Sequence, residues 1–590
     1  MKHKLMRAFT ILPYVLIIVA TIMLVILHKF DHNAKYNIAL GVSWMVLCLI
    51  VILFIFYSDF LRIARHVRHV FRAEDTALFI VVLSAITTRF LLLGLYPYVT
   101  VGDELRDAGL HALHMRYAPP VDVFAFGSYE GYGNVIPFIS YLFSFIFSTT
   151  RYSYIVPAAI TGILSIIATY ILGRKAGGKM VGFVAAIFLT LSIHHLHYSR
   201  TELLVILDSL LSPLLILATY YATKHRHGYL LFGLLAGSLI HFYAGARGIA
   251  VACGLYLLCH NLMQGIDFKK HIIIGAMFLI GFATGVGPTY NLLSQNNVVT
   301  HTGKTGLVFN KFEFVTKTPA QKFYYLVRLY ERSFLVYFAN PLGSHLTYPD
   351  NALQQFPMNW LFIGGCAFLI IKIRKLNSIS TIILICLFVV PFTNQLLLDD
   401  PGSDHRLMSI TPVLAIIASF GFVAVVREYL PRHTQVILTG MLICFIAISQ
   451  LFTYFYLRPS DNLYEGGGLK EYQLQAIVNY VEDRPNDRAY FLLNNAPHEY
   501  NMPHYHEKME YLLYPQVMTL VSADDVKDVE EFRIREGRPV SIIYIDPIQP
   551  LSERTHDTIS KSCQSSFLIP RYGCPIGWTT DYAFYIANID

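Results

Sequence analysis

The chain of 590 residues is 55% hydrophobic and only 14% charged, with a formal net charge of +7 and a mean hydropathy of +0.48. Soluble domains carry about 25% charged residues, so this composition excludes an ordinary soluble protein and favours one whose main solvent is lipid. The positive balance is typical of the basic cytoplasmic loops of membrane proteins, and no motif indicates nucleic-acid binding.

The apolar segments predict a polytopic α-helical membrane protein with about 13 transmembrane helices. The first span follows a basic head (Lys2, Lys4 and Arg7) and has no small-residue cleavage site behind it, which predicts an anchor rather than a removable signal peptide. Segment 134–148 is too short to cross and is interpreted as interfacial or re-entrant. The predicted spans are 9–28, 37–57, 76–96, 153–173, 181–197, 203–222, 229–244, 247–264, 271–292, 358–373, 378–397, 407–426 and 435–457.

Basic residues concentrate in alternate connections, for example between Arg62 and Arg72, at Arg174-Lys175 and from Lys372 to Lys375. Placing them in the cytoplasm puts the loops 97–152, 198–202, 294–357 and 398–406, and everything after 458, on the opposite side. The predicted domains are residues 1–75 (two additional helices and a basic linker), 76–458 (the main membrane module) and 459–590 (a soluble domain).

Residues 459–590 have the composition of a soluble domain. Short apolar runs beginning at Ala489, Val540 and Asp581 predict strands, and Ser522 begins a charged helical stretch with a capping-type start. The sequence therefore predicts a small C-terminal extracytoplasmic α/β domain. Cys563 and Cys574 are the cysteines that lie outside apolar spans, and they form a candidate disulfide if this domain faces an oxidising compartment.

The loop 294–357 contains a stretch of helical periodicity. Its apolar residues, from Phe323 to Phe334, repeat every three or four positions among Lys322, Arg328 and Arg332. This pattern predicts an amphipathic helix that lies along the membrane surface.

Two adjacent carboxylates, Asp103 and Glu104, follow the third span directly. They are either solvating groups of a loop beside the membrane or reactive acids. The helix-like run that follows, with Arg106, Asp107 and His111, favours the second interpretation. A carboxylate at the water–lipid boundary can accept a proton from a hydroxyl while the leaving group stays in lipid.

A second polar group joins two spans, from His194 to Asp208. Asp208 lies within apolar sequence, where a charge is costly; it is either functional or paired structurally with Arg200 or Arg89. The neighbouring histidines fit no recognised metal-ligand spacing, but a metal site stays open.

Two further outward turns carry arginines, Arg247 and Arg406. The guanidinium fork suits phosphate oxygens, so two arginines on the side of the carboxylates suggest a lipid-linked phosphate; the alternative is snorkelling to the interface. His345 and Asp350 in the loop 294–357 are further candidates.

With these residues in view, residues 76–430 resemble the polytopic glycosyltransferases of the GT-C fold, nearest to the protein O-mannosyltransferases and the bacterial aminoarabinose lipid A transferases. The order and the common membrane face of four motifs carry the resemblance. These are the acidic pair Asp103-Glu104, His197-Tyr-Ser-Arg200 with Asp208, the turn from Tyr243 to Arg247, and His405-Arg406 followed by Pro412.

The resemblance implies an inverting transfer of a hexosyl or pentosyl group from a polyprenyl-phosphate-linked sugar to a lipid, glycan or protein acceptor outside the cytoplasm, in a bacterial inner membrane. No cofactor is certain, and a divalent cation is a candidate. The implied catalytic residues are Asp103, as the general base or the acid that positions the acceptor, and Glu104 and Asp208, which would orient the substrate or hold a metal ion. The implied donor-phosphate residues are Arg200, Arg247, Arg406, His405 and Tyr243, and the further substrate-binding candidates are Arg106, His197 and His345.

Two alternatives stay open. Buried charges also mark the pathways of transporters or flippases, although here they gather at one face and no internal repeat is present. The second alternative is an oligosaccharyltransferase or a polymerase-ligase type membrane enzyme. An oligosaccharyltransferase would be expected to carry a Trp-Trp-Asp motif in its soluble domain, and this sequence has none. The two spans before residue 76 and the C-terminal domain depart from the family pattern.

Overall fold

The structure is a computed structural model, and it describes the chain in segments. These are residues 2–30, 34–66, 73–93, 112, 115–116, 122–125, 134–147, 152–201, 203–265, 268–293, 308–310, 312–341, 352–396, 405–429, 431 and 435–457, with strands at 488–493, 519–522, 540–545, 566–567 and 584–589.

The described membrane part is mostly helical. Its helices are α1 Lys2–Phe30, α2 Ala34–His66, α3 Ala73–Phe90, α4 Val135–Phe147, α5 Tyr152–Gly177, α6 Lys179–Leu191, α7 Ile193–Thr201, α8 Leu203–Ala222, α9 His227–Ser238, α10 Gly245–Met263, α11 Phe268–Val286, α12 Tyr290–Leu293, α13 Phe312–Val315, α14 Pro319–Leu335, α15 Met358–Ile371, α16 Ser378–Pro391, α17 Thr411–Tyr429 and α18 Gln435–Phe452. Short 3-10 turns follow α9 (Leu239–His241) and precede α17 (His405–Ile410), and π-helical turns follow α16 (Phe392–Leu396) and α18 (Thr453–Leu457).

Among the described residues, eight helices are long and apolar enough to span a membrane, and the bent pair α6–α7 makes a ninth. The other predicted spans coincide with shorter apolar helices, so the total of about 13 crossings stays a prediction. The short segment predicted not to cross forms α4, a helix of 13 residues. Burial separates central from peripheral helices: 89% of residues 405–428 are buried, against 22% of α1 and 11% of α18 within their spans.

The span predicted at 181–197 is broken. Helices α6 and α7 meet at a bend of 61°, where Ser192 leaves helical geometry. Helix α7 is Ile-His-His-Leu-His-Tyr-Ser-Arg-Thr and is buried along its whole length. A polar sequence needs internal partners inside a membrane protein, and the bend directs α7 into the protein.

Helices α9 and α11 approach each other through paired glycines spaced four apart. Cβ atoms on Gly233 and Gly237 of α9 would lie 2.2 Å from the carbonyl oxygens of Phe278 and Phe282, and those on Gly281 and Gly285 of α11 would lie 2.1 and 2.3 Å from the carbonyls of Leu230 and Leu234. Small residues at this spacing let helix backbones pack directly against each other in membranes. The contact fixes the end of α9, from which the His241–Arg247 turn departs.

Replacing Gly281 with Ala should therefore destabilise the fold. The added methyl meets a backbone oxygen that moves only with its helix, and overpacking of this kind typically costs about 1–3 kcal/mol. The matched control is Gly275→Ala on the same helix, where the added Cβ meets nothing within 4 Å. Thermal unfolding in detergent should show a lower Tm for the first variant alone; equal Tm values would contradict the close packing.

The N-terminal helices pack against the region that leads to the arginine-bearing turn. The Trp44 ring of α2 lies 4.6 Å from the His241 ring and 6.0 Å from the Phe124 ring. His28 of α1 pairs with Asp122, Nε2 to Oδ2 at 2.9 Å. Helices α1 and α2 therefore contact both the segment 122–125 of the first long loop and the turn after α9.

The predicted amphipathic helix is α14, and it begins at a capping box formed by Thr318 and Gln321. One face packs on α16, where Tyr330 Oη donates to the Phe388 carbonyl at 3.0 Å. The other face exposes Phe323, Tyr324 and Val327. The helix is confirmed, and its contact with lipid stays a prediction.

The described part of the C-terminal region is a five-stranded sheet in the order β2-β1-β3-β5-β4. Strands β1 Arg488–Leu493, β3 Val540–Ile545 and β5 Phe584–Ile589 coincide with the three predicted strands. Strands β2 Thr519–Ser522 and β4 Ser566–Phe567 are additional. The pairs β1–β2 and β1–β3 are parallel, which requires long crossover connections. Those connections, and the disulfide candidates Cys563 and Cys574, lie outside the described residues.

Candidate active site

Asp208 is fully buried near the start of α8 and lies against the N-terminus of α10. A Cβ atom on Gly245 would be 2.3 Å from Asp208 Oδ2, so only glycine leaves room for the carboxylate. The carboxylate faces the backbone amides of Gly245 and Ala246 and interacts electrostatically with Arg247, although neither oxygen makes a hydrogen bond of ordinary geometry. The carboxyl group of Asp208 therefore packs directly against the first turn of α10.

The turn before α10 meets the turn before α17. The Tyr243 and His405 rings lie 5.5 Å apart, and a Cβ atom on Gly245 would be 3.1 Å from the Arg406 carbonyl oxygen. Arg247 and Arg406 are both partly buried. We call this group the arginine site; it consists of five of the predicted site residues, namely Asp208, Tyr243, Arg247, His405 and Arg406.

Asn394 joins the same two turns, and the sequence analysis did not identify it. Its Nδ2 donates to the carbonyl oxygens of Gly245 and Arg406 at 2.8 and 2.9 Å. Ser409 Oγ also donates to the Gly245 carbonyl, at 2.8 Å. The available signal was the polar triplet Thr393-Asn-Gln at the end of an otherwise apolar span.

A buried polar chain connects α3, α5, α7, α8 and α17. Arg89 donates to His195 Nδ1 at 2.9 Å. Because arginine can only donate, Nδ1 accepts and Nε2 carries the proton, which it donates to Ser165 Oγ at 3.3 Å. Ser165 contacts Ser209, and Ser209 contacts Thr411, at 2.9 and 3.3 Å between hydroxyl oxygens. Both ring nitrogens of His195 are thus engaged in hydrogen bonds.

Arg200 is fully buried, and its Nη1 donates to the carbonyl oxygens of Thr88 and Arg89 at 2.8 and 2.9 Å. Its guanidinium carbon lies 5.4 Å above the Phe455 ring. These contacts stabilise the C-terminal end of α3, where cations are favoured. The predicted part of Arg200 in phosphate binding stays a prediction. The arginine that interacts with Asp208 is Arg247, and Arg89 instead donates to His195.

His197 of α7 is buried, and its ring lies 6.4 Å from the Tyr454 ring. Four of the predicted site residues, Asp103, Glu104, Arg106 and His345, lie outside the described residues. Within the described ranges, no three His, Cys, Asp or Glu side chains are placed to hold a metal ion.

One family model matches part of the chain. Residues 133–286 match the model described as dolichyl-phosphate-mannose-protein mannosyltransferase. This match confirms the resemblance to the GT-C glycosyltransferases that the motifs indicated. It includes Asp208, Tyr243 and Arg247, whereas His405 and Arg406 lie beyond it. No curated protein matches the chain significantly.

Two solved structures are similar to this chain at low sequence identity. ArnT from Cupriavidus metallidurans, bound to undecaprenyl phosphate, is 13% identical, with 88% of this chain and 98% of that chain covered and a TM-score of 0.49. The archaeal oligosaccharyltransferase AglB from Archaeoglobus fulgidus, in complex with an inhibitory peptide and a dolichol-phosphate, is 11% identical. There 80% of this chain and 69% of that chain are covered, with a TM-score of 0.44.

Proposed function

We propose, from the match of residues 133–286 to the mannosyltransferase family model, that this chain is a membrane glycosyltransferase with a polyprenyl-phosphate-linked sugar as donor. The observation that carries the proposal is the arginine site. The turns that carry Arg247 and Arg406 are far apart in sequence and meet beside the buried Asp208. Guanidinium groups suit phosphate oxygens, which supports a phosphate site here.

In this proposal Arg247 and Arg406 bind the donor phosphate, with Tyr243 and His405 beside them. Transfer breaks the bond between the anomeric carbon and the phosphate oxygen, and the electron pair leaves with the polyprenyl phosphate. Charge therefore grows on the phosphate as the reaction proceeds. Stabilisation of such developing charge by fixed cations is often the largest catalytic contribution. Arg200 is a further candidate for this role.

The acceptor hydroxyl attacks the anomeric carbon from the opposite face, which inverts its configuration. Its proton passes to a carboxylate, and we assign this role to Asp103, with Glu104 orienting the substrate. Asp208 acts differently in this proposal: its contacts with the first turn of α10 keep Arg247 in position. Arg106, His197 and His345 remain candidates for contacts with the substrates.

The arginine site and the acceptor lie on the same side of the membrane in this proposal. The arginine site gathers the starts of α8, α10 and α17 with the ends of α9 and α16, so its residues share one end of the bundle. We assign that end, together with the α/β domain 459–590, to the extracytoplasmic side of a bacterial inner membrane. The acceptor is a lipid, glycan or protein on that side, and the transferred group is a hexose or a pentose.

The test is transfer by the purified protein in detergent or proteoliposomes. Supplied with a polyprenyl-phosphate-linked sugar and membrane extract as acceptor source, it should form glycosylated product and release polyprenyl phosphate in equal amounts. A transporter or flippase would instead move the intact donor across the vesicle membrane, and intact donor on the far side without cleavage would replace the glycosyltransferase proposal.

Replacing Arg247 with Ala should weaken binding of undecaprenyl phosphate by about 10-fold or more, because a hydrogen bond to a charged group contributes about 1.5–3 kcal/mol. The control is Arg328→Ala. Arg328 is exposed and pairs with Glu331 on α14, and such surface pairs contribute little. Binding measured by calorimetry should fall only for the first variant; equal affinities would remove Arg247 from the phosphate site.

A further inference from the structure

The turn that follows α16 is π-helical, from Phe392 to Leu396. Such turns are rare and occur often at functional sites. Asn394 lies at its centre and is buried, with 5% of its surface exposed. It has no place among the predicted site residues, yet it touches both turns of the arginine site.

Both hydrogens of the Asn394 amide donate to backbone carbonyl oxygens. One donates to the Gly245 carbonyl and the other to the Arg406 carbonyl, at 2.8 and 2.9 Å. Gly245 is two residues before Arg247, and the second acceptor belongs to Arg406 itself. One side chain therefore links the backbone segments that carry the two arginines.

The orientation of this amide follows from its neighbours. The two backbone carbonyls can only accept, so the NH2 group must lie on their side. This leaves Asn394 Oδ1 on the side of Thr393, 3.0 Å from Thr393 Oγ1. Helix α10 packs directly on the pair, because a Cβ atom on Gly248 would lie 2.3 Å from Thr393 Oγ1 and 2.4 Å from Asn394 Oδ1. The side chain is thus held on both sides and resists rotation.

We infer that Asn394 is a positioning residue that sets the separation of Arg247 and Arg406 for one phosphate group of the donor lipid. The inference rests on the proposed function. Two cations bind a single phosphate well only when their spacing matches its oxygens, and small misplacements weaken such sites strongly. Without the amide, the Arg406 carbonyl loses its described donor, and the segment before α17 is held to α10 less tightly, through the Ser409 hydrogen bond to the Gly245 carbonyl.

The experiment compares two asparagines at the two ends of α16. Asn377 caps the start of the helix and donates to the carbonyls of Lys175 and Ala176 at 3.2 and 2.8 Å, so it also links distant segments, but away from the arginine site. Asn394→Ala should weaken undecaprenyl phosphate binding by about 10-fold, the size expected when buried acceptors lose their donor. Asn377→Ala should leave the affinity unchanged.

A double-mutant cycle distinguishes positioning from general structural support. If Asn394 acts through Arg406, then Asn394→Ala should cost little further affinity in an Arg406→Ala background. Unchanged affinity in Asn394→Ala, or losses that multiply in the double variant, would overturn the inference. Failure of the wild-type protein to bind the lipid would instead count against the proposed function.

A second variant covers the case in which Asn394→Ala does not fold. Ser409→Ala removes the other donor to the Gly245 carbonyl and keeps Asn394 in place. It should reduce affinity for undecaprenyl phosphate by about 3-fold, consistent with the modest net value of one hydrogen bond, and this loss should disappear in an Arg247→Ala background. A loss that persists there would contradict the positioning role.

Discussion

Asp103→Asn should reduce sugar transfer by about 100- to 10,000-fold, the range that a positioned general base contributes. The amide keeps the shape of the side chain but cannot take the proton of the acceptor hydroxyl. Because the phosphate is bound by other residues in our proposal, affinity for undecaprenyl phosphate should stay at the wild-type value. The measurement is the transfer rate of purified protein at saturating donor, beside lipid binding by calorimetry.

The control for this variant is Asp107→Asn, which changes another acid of the same stretch without a proposed role. It should transfer at close to the wild-type rate. If both variants are equally slow, the acids act together through the charge of the loop, and a specific base at Asp103 is wrong. If Asp103→Asn transfers normally, the base must be sought elsewhere, beginning with Glu104.

Gly245→Ala should remove most of the transfer activity, although it adds only one methyl group. That methyl would lie 2.3 Å from Asp208 Oδ2 and 3.1 Å from the Arg406 carbonyl oxygen, so the carboxylate and the turn before α17 must both move. A displacement of about 1 Å near a reacting group can cost about 100-fold in rate. We expect a comparable loss in transfer and weaker binding of undecaprenyl phosphate.

The matched control lies on the same helix. A Cβ atom on Gly254 meets nothing within 4 Å, and Gly→Ala within a helix gains up to about 1 kcal/mol of helix propensity. Gly254→Ala should therefore be active and at least as stable as the wild-type protein. Normal transfer by Gly245→Ala would show that the tight contact between α10 and Asp208 is not needed for activity.

Hydropathy located the helices well because it depends only on the local sequence. The predicted spans coincide with apolar helices, and the periodic stretch after Pro319 is α14. The break between α6 and α7 was missed, since the apolar run continues to Ile193 and only the following histidines reveal the change. The strands that begin at Arg488, Val540 and Phe584 were found for the same local reason.

The sequence identified most of the residues of the arginine site, but not the contacts that those residues make with one another. Tyr243 and His405 were both identified, and the structure places their rings together. The partner of Asp208 was not identified. The sequence analysis proposed Arg200 or Arg89, whereas the structure shows an electrostatic interaction with Arg247. Side-chain pairing depends on how helices pack against one another, and hydropathy carries no information about that. Asn394 was missed because a short polar triplet at the end of a span has no periodic signal.

The contact between Asp208 and α10 also has a consequence for biosynthesis. Helix α8 leaves the ribosome before α10, so its carboxylate enters the translocon without Arg247 and without the amides that it later faces. An aspartate within a spanning segment costs up to about 3 kcal/mol when inserted alone. Helix α8 is therefore expected to stay beside the translocon until α10 arrives, and to enter the lipid together with it.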